Sequence, residues 1–290
     1  MLDDDAPIGG GTTTDIEREL SPLRVPFAAD RKIAHNPRVR DRTPPPYDIV
    51  GDIHGCIDEF CELLDTLGYL VDRETGVVRH LQDRTLVFLG DLNDRGPGSI
   101  RVWKIALASV KAGTALYVPG NHDSKFARWL MGRDVRLNHG LKETVLELLD
   151  LPGGEPRHIG RQIGNLLADS PPYRILHGGR LVVAHAGIEE HLIGRTDTEA
   201  SAFARFGEPT GEYSPFGFPI RRDWAADYRG KALVVYGHTP TPVAEFRNNT
   251  INIDQGCAFG GMLTALRYPE REVVSVRARK VYAEPAMDRR

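Results

Sequence analysis

Five short apolar runs in this chain each stop at a glycine-bearing polar cluster, and that repetition restricts the fold more than any other feature of the sequence. "YDIV" runs into "GDIHG", "TLVFL" into "GDLNDRG", "ALYVP" into "GNHD", "RLVV" into "AHAG" and "ALVVY" into "GHTP". Short, nearly continuous aliphatic runs read as strands covered on both faces. Between the first three, "IDEFCELLDTLGY" and "SIRVWKIALASVKAG" carry apolar residues at helical spacing and close with Gly68 and Gly113, the residue type that suits a left-handed helix end. This order predicts an α/β layered fold, and in open α/β sheets ligands bind in the crevice at the carboxyl ends of the strands. The last four runs, "ALVVYG", "TINID", "LTALRY" and "EVVSVRA", follow one another across mostly short turns such as Asn248-Asn249, which predicts a more antiparallel second half.

The clusters supply Asp52 and His54, then Asp91 with Asp94 and Arg95, then Asn121 with His122 and Asp123, and finally His185 and His238. Each has an ordinary explanation when taken alone. "GNHD" could be a turn, "GHTP" a helix cap, and a histidine after "VVA" a core residue. Five such clusters in this order, each directly after a strand-like run, point instead to convergence on one site. Asp52, Asp91, Asn121, His54, His185 and His238 form an oxygen and nitrogen donor set with no thiolate, which suits manganese, iron or zinc. Two such ions can clamp the attacking and leaving oxygens of a phosphoryl transfer. Asp123 is read as a turn-stabilising carboxylate.

Composition narrows the class. With 41% hydrophobic and 27% charged residues the chain reads as globular, and no apolar run approaches the roughly 18 to 20 residues that span a bilayer. A net charge of −3 without a lysine or arginine block predicts no capture of duplex nucleic acid. The acidic, glycine-rich start is unlike a presequence, so a cytoplasmic protein is expected. Residues 1–45, with Gly, Thr and Pro44 to Pro46, are expected to form a flexible tail, and 46–290 one catalytic domain. Cys56, Cys61 and Cys257 lack a metal-binding spacing and are read as small buried thiols.

The set of motifs, spanning positions 51 to 240, resembles that of calcineurin-like metallophosphoesterases of the phosphoprotein-phosphatase type. Within that superfamily, the stretches from "VPGNHDSKFARWL" and "VVYGHTPTPVAEF" onward look most like the phosphatase module of bacterial polynucleotide kinase-phosphatase and like stand-alone phosphatases of the PrpE type. The resemblance implies a layered α/β/β/α sandwich with its active site at strand C-terminal ends. It implies two divalent ions, manganese first, with iron, zinc, nickel or cobalt as alternatives. Asp52 and His54 would bind one ion, Asn121, His185 and His238 the other, with Asp91 bridging. His122 would be the general acid, held by Asp94, and Arg95 would grip the phosphoryl oxygens. Arg95, Asn121 and Asp254 are the candidate substrate-binding residues.

The expected activity is a phosphohydrolase that uses hydroxide attack at the binuclear centre. The first reading is a phosphomonoesterase acting on nucleotide or RNA 2′/3′ terminal phosphates, with a serine/threonine protein phosphatase or diadenosine-tetraphosphate hydrolase as the alternative. The expected partner is accordingly a phosphorylated nucleotide, RNA end or phosphoprotein, with no membrane. A silent nucleotide-binding module is the non-enzyme alternative, disfavoured because every expected ligand is present. Asn93 replaces an apolar residue of the family motif and Gln255 a threonine, so metal affinity or substrate preference is expected to differ. No P-loop is found, so the chain is read as a phosphatase part alone. Arg267 is placed near the site by resemblance, His139 is read as a helix start, and residues 125–175 are expected to shape the cleft. Phe126, Trp129, Phe216 and Trp224 are candidates for stacking on a base.

Overall fold

A computed structural model describes residues 45–213 and 219–284. The predicted tail, up to residue 44, and Phe216 lie outside the described residues. The first half runs β1 (Tyr47–Val50), α1 (Ile57–Leu67), a hairpin of β2 (Tyr69–Val71) and β3 (Val78–His80), β4 (Thr85–Phe88), α2 (Ser99–Lys111), β5 (Ala115–Tyr117), α3 (Asn121–Leu130), α4 (Leu141–Leu149) and α5 (Glu155–Asp169). The second half runs β6 (Tyr173–Leu176), β7 (Leu181–Ala184), α6 (Thr198–Phe206), β8 (Pro209–Tyr213), β9 (Pro219–Arg221), α7 (Trp224–Asp227), β10 (Leu233–Tyr236), β11 (Phe246–Arg247), β12 (Thr250–Asn252), β13 (Asp254–Gln255), β14 (Met262–Tyr268) and β15 (Glu272–Arg277). As the sequence predicts, α1 ends at Gly68 with φ 89°, its N–H bonding back to the carbonyl of Asp65.

Two sheets stack. The first has the order β13-β14-β1-β4-β5, with β15 on the outer side of β14, and the second the order β11-β12-β10-β7-β6. Strand residues alternate between faces, so Ile49, Val87, Val183, Val235 and Ile251 meet between the sheets. Their neighbours Val50 and Phe88 pack outward against Phe60 of α1 and Trp103 of α2, while Val182 and Val234 pack against Ala200 of α6 and Trp224 of α7. Helices, sheet, sheet and helices are the four layers implied by the resemblance.

The prediction of an antiparallel second half holds for β13, β14 and β15 but not for β10, which pairs in parallel with both β7 and β12. The link from β10 to β12 spans residues 237–249, the dozen or so that a parallel crossover needs. The Asn248-Asn249 turn serves the hairpin between β11 and β12. At Ile253 the chain leaves the second sheet and enters the first, passing so close to β1's exit that a side chain at Gly51 would meet the Ile253 carbonyl oxygen at 2.3 Å. With β1, β4 and β5 mutually parallel, and β7 parallel to β10, the five polar clusters follow the carboxyl ends of these strands. No helix among the described residues is long and apolar enough to cross a membrane.

Candidate metal centre

The backbone of the site is held in an uncommon conformation. His54, Asp91, Asp94, Arg95 and His238 all have positive φ, from 47° to 74°. Aspartate and histidine tolerate the left-handed region better than most side chains, but such residues persist only where surrounding contacts over-determine them. Here the loops are laced together: His54 N–H donates to the Asp91 carbonyl at 2.8 Å, Gly55 N–H to Leu92 O at 2.9 Å and Gly96 N–H to His54 O at 2.8 Å. Asp123 lies beneath them, accepting from the N–H groups of Asp91, Leu92 and Gly120 and from the Tyr117 hydroxyl. That geometry is the turn-stabilising one expected of it.

Asp91 belongs to two clusters of metal-ligating atoms. One contains His54, Asp91 and His122, the other Asp91, His185 and His238, and within each the candidate donor atoms lie within 4.8 Å of one another. His54 Nε2 is 3.6 Å from Asp91 Oδ2, and His185 Nε2 is 3.5 Å from Oδ1. Asn121 Oδ1 joins the second cluster, 3.1 Å from His185 Nε2 and 2.9 Å from His238 Nδ1. His54 Nδ1 donates to the Asn93 carbonyl at 2.9 Å and His185 Nδ1 to the Leu89 carbonyl at 3.0 Å. Those bonds fix the tautomer and turn each Nε2 lone pair into the site, as outer partners of metal-bound histidines do. Asp52 sits to one side: both its oxygens accept from His238 N–H, at 3.3 and 3.2 Å, and it does not enter the three-residue groups.

The electrostatics fit a cationic ligand. Burial, with Asp254 and Asp91 adding like charge, pushes the Asp52 carboxyl well up, and burial with Asp123 nearby does the same to Asp91. Burial drives His54, His122 and His238 down, and His185 down to about 3. Crowded carboxylates and neutral imidazoles, on their own an unfavourable buried group, are the donor forms that a divalent cation requires. The side chains present therefore fit a metal pair.

Beside this set, His122 Nδ1 donates to Asp94 Oδ2 at 2.6 Å. Arg95 donates through Nη2 to His122 Nε2 at 3.1 Å and through Nη1 to His54 Nε2. Burial raises Asp94 to about 6. Its other oxygen accepts from Thr144 Oγ1 at 2.8 Å and from Asn93 Nδ2 at 2.7 Å.

The profile of the family described as Calcineurin-like phosphoesterase matches residues 45–242. The chain belongs to this family. It is therefore a metal-dependent phosphoesterase, a hydrolase of a family that uses a divalent metal pair. Among its relatives, an asymmetrical bis(5′-nucleosyl)-tetraphosphatase PrpE of Bacillus velezensis is 49% identical over 81% of this chain and 94% of the relative. The PrpE of Bacillus subtilis is 49% identical over 82% of this chain and 97% of its own length. A crystal structure provisionally assigned as a diadenosine tetraphosphatase superposes with a TM-score of 0.57 at 26% identity, covering 84% of this chain and 96% of that one.

Several residues of this phosphoesterase lie elsewhere than the sequence suggests or have a role it does not show. Asp254 is buried, caps the N–H of Gly256 at 2.9 Å and faces Asp52 as a like charge, so it supports the loop rather than lining an open groove. Arg267 lies at the far end of β14, where its pairing partner is Asp48 at the start of β1, away from the strand ends that carry the site. Phe126 and Trp224 are core residues, and Phe126 stacks on the half-buried Trp129. The departure at Asn93 has a role: its side chain accepts from Trp103 Nε1 and donates to Asp94. Gln255 donates to Thr241 Oγ1 and the Asn252 carbonyl, bracing the loop after His238.

The groove beside the centre is lined by residues that the sequence did not single out for it. Phe259, over which the Arg95 guanidinium stacks at 4.8 Å, and Tyr282 share a space of about 320 Å³ with Arg95, His139 and Glu143. Thr144 shows that the insert after residue 125 reaches the chemistry itself, through Asp94.

Gly120 provides a sharp test of this packing. A Cβ there would lie 2.1 Å from Asp91 Oδ1 and 2.4 Å from the Asp91 nitrogen. Gly120→Ala must therefore displace Asp91, and misplacing a catalytic group by an ångström can cost about 100-fold. Initial rates should fall by at least tenfold while the circular dichroism spectrum is preserved. Unchanged rates would mean that Asp91 is not held as described.

Proposed function

We propose that this phosphoesterase hydrolyses dinucleoside tetraphosphates asymmetrically, releasing a nucleoside monophosphate and a nucleoside triphosphate. The observation that carries this reading is the match at 49% identity to relatives so named, over 94% and 97% of their lengths. It favours the diadenosine-tetraphosphate alternative over cleavage of terminal phosphomonoesters. Asp52, His54 and Asp91 would hold one metal and Asp91, Asn121, His185 and His238 the other. When bound, such a pair lowers the pKa of water and neutralises charge on the phosphoryl group.

The chain's own residues supply the rest. Arg95 offers a guanidinium fork that matches phosphate oxygens, and Phe259 beneath it limits the positions the fork can take. When the fork turns to a phosphate, His122 Nε2 loses the donor that now occupies it, can take up a proton from solvent and can pass that proton to the departing oxygen. Asp94, through Nδ1, keeps that ring oriented. Asn93 and Thr144 hold Asp94 in turn.

The test compares initial rates of the manganese-loaded protein on diadenosine tetraphosphate, an RNA ending in a 2′- or 3′-phosphate, and a phosphopeptide. AMP and ATP in equal amounts, at a rate orders of magnitude above the other two substrates, is the expected result. Two molecules of ADP, or preference for the RNA end, would overturn the reading. His122→Ala separates the leaving groups further. A departing nucleotide phosphate needs little protonation and a departing alkoxide needs much. The variant should therefore lose roughly 10²- to 10⁴-fold on an alkyl phosphate, with a smaller loss on the tetraphosphate.

A further inference from the structure

A second set of metal-ligating side chains lies outside the phosphoesterase centre. Cys56, Glu59 and Cys257 are buried, with 0%, 0% and 2% of their surface exposed. The two sulfurs and one carboxylate oxygen lie within 4.8 Å of one another. Cys56 precedes α1, directly after the "GDIHG" loop, and its thiol donates to the His54 carbonyl at 3.7 Å. Cys257 opens a short helical turn, Cys257–Phe259, that ends on the ring beneath Arg95. Glu59 comes from the first turn of α1.

Packing thiols alone leave the carboxylate unexplained. Glu59 Oε1 accepts from the Arg279 main-chain N–H at 2.8 Å and from the Tyr282 hydroxyl at 2.7 Å, neither of which carries charge. Its Oε2 is buried and has no hydrogen-bond partner among the described residues. A buried carboxylate without full pairing is costly, and ligation is one of the few remedies.

We propose that Cys56, Glu59 and Cys257 form a distinct site for a single thiophilic divalent cation of the zinc class. Two sulfurs and an oxygen suit zinc and leave one position of a tetrahedral ion for water. Binding M²⁺ releases the two thiol protons to solvent, so the thiolates and Glu59 become the ligands. The ion ties the loop carrying His54 to the turn carrying Phe259, and so braces both walls next to Arg95. It performs no step on the substrate.

Cobalt(II) distinguishes this site from the phosphoesterase centre, whose donors are nitrogen and oxygen only and cannot give a thiolate-to-metal charge-transfer band. Titration of the reduced, metal-free full chain with Co²⁺ should produce that near-ultraviolet band, saturating at the amplitude of one thiolate-bound cobalt per chain. Cys257→Ser and Cys56→Ser should abolish it, Cys61→Ser should keep it, and Glu59→Gln should weaken cobalt binding at this site by at least tenfold. Melting curves of the metal-free variants check that each is folded. No band in the parent protein at saturating cobalt would overturn the proposal without recourse to any variant. A band that survives Cys257→Ser, or is lost in Cys61→Ser, would overturn it as well.

Discussion

Replacing Asp91 by asparagine should reduce kcat/KM by about three orders of magnitude or more, because a single side chain belongs to both candidate metal clusters. The fold should survive, since Asn retains an oxygen to accept the His122 N–H that Asp91 Oδ1 now takes at 2.9 Å. Stability should move in the opposite direction to activity. Burial and the nearby Asp123 raise the Asp91 carboxyl in the folded protein. A folded pKa above the unfolded one makes the ionised group a liability at pH values above the unfolded pKa, and no liability below it. Metal-free Asp91→Asn should therefore melt at or above the parent temperature at pH 7, and the gain should shrink as pH falls toward about 4. With metal added the order should reverse, because the parent binds the pair more tightly and gains more stability from it. Melting curves with and without chelator read all of this.

The largest effect on stability should come from Arg84, far from the chemistry. Its guanidinium donates to Asp48 through Nε at 3.0 and 2.9 Å and Nη2 at 2.8 Å, and through Nη1 to Glu270 at 2.9 Å. Asp48 has no exposed surface and Arg84 is 8% exposed. Removing one partner of a buried pair strands the other charge, which costs about 3 to 5 kcal/mol. Arg84→Ala should fall at the lower end, because Arg267 Nε remains 3.4 Å from Asp48. Urea unfolding with an unchanged m-value would measure it. Arg84→Lys should not restore the loss, since an ammonium cannot reproduce the fork. A change below about 1 kcal/mol would mean that the pair is not buried in solution.

The strands and the polar loops at their ends were legible in the sequence because each strand-like run ends where its polar cluster begins. "YDIV" and "TLVFL" are buried on both faces, and such runs show little alternation. The pairing of β10 was less legible, since run order alone does not say which link crosses over and which turns back. Around the site, residue type pointed to the candidate donors, whereas the supports were hidden. Thr144 and Asn93 act by hydrogen bonds to Asp94 that depend on folding across more than forty residues for Thr144 and on one loop for Asn93. Asp48, a carboxylate within an apolar strand, did carry a signal of a buried partner, but nothing local identifies that partner as Arg84. Phe259 and Tyr282 reach the groove only because the chain changes sheets at Ile253 and later returns along α1.

We propose that one carboxylate, Asp91, joins two metal sites at the strand ends. The most direct measurement is an anomalous difference map from a crystal of the manganese-loaded protein. Two peaks flanking Asp91 are expected, one beside His54 and the other among Asn121, His185 and His238. A single peak, or two peaks of which either makes no contact with Asp91, would contradict it.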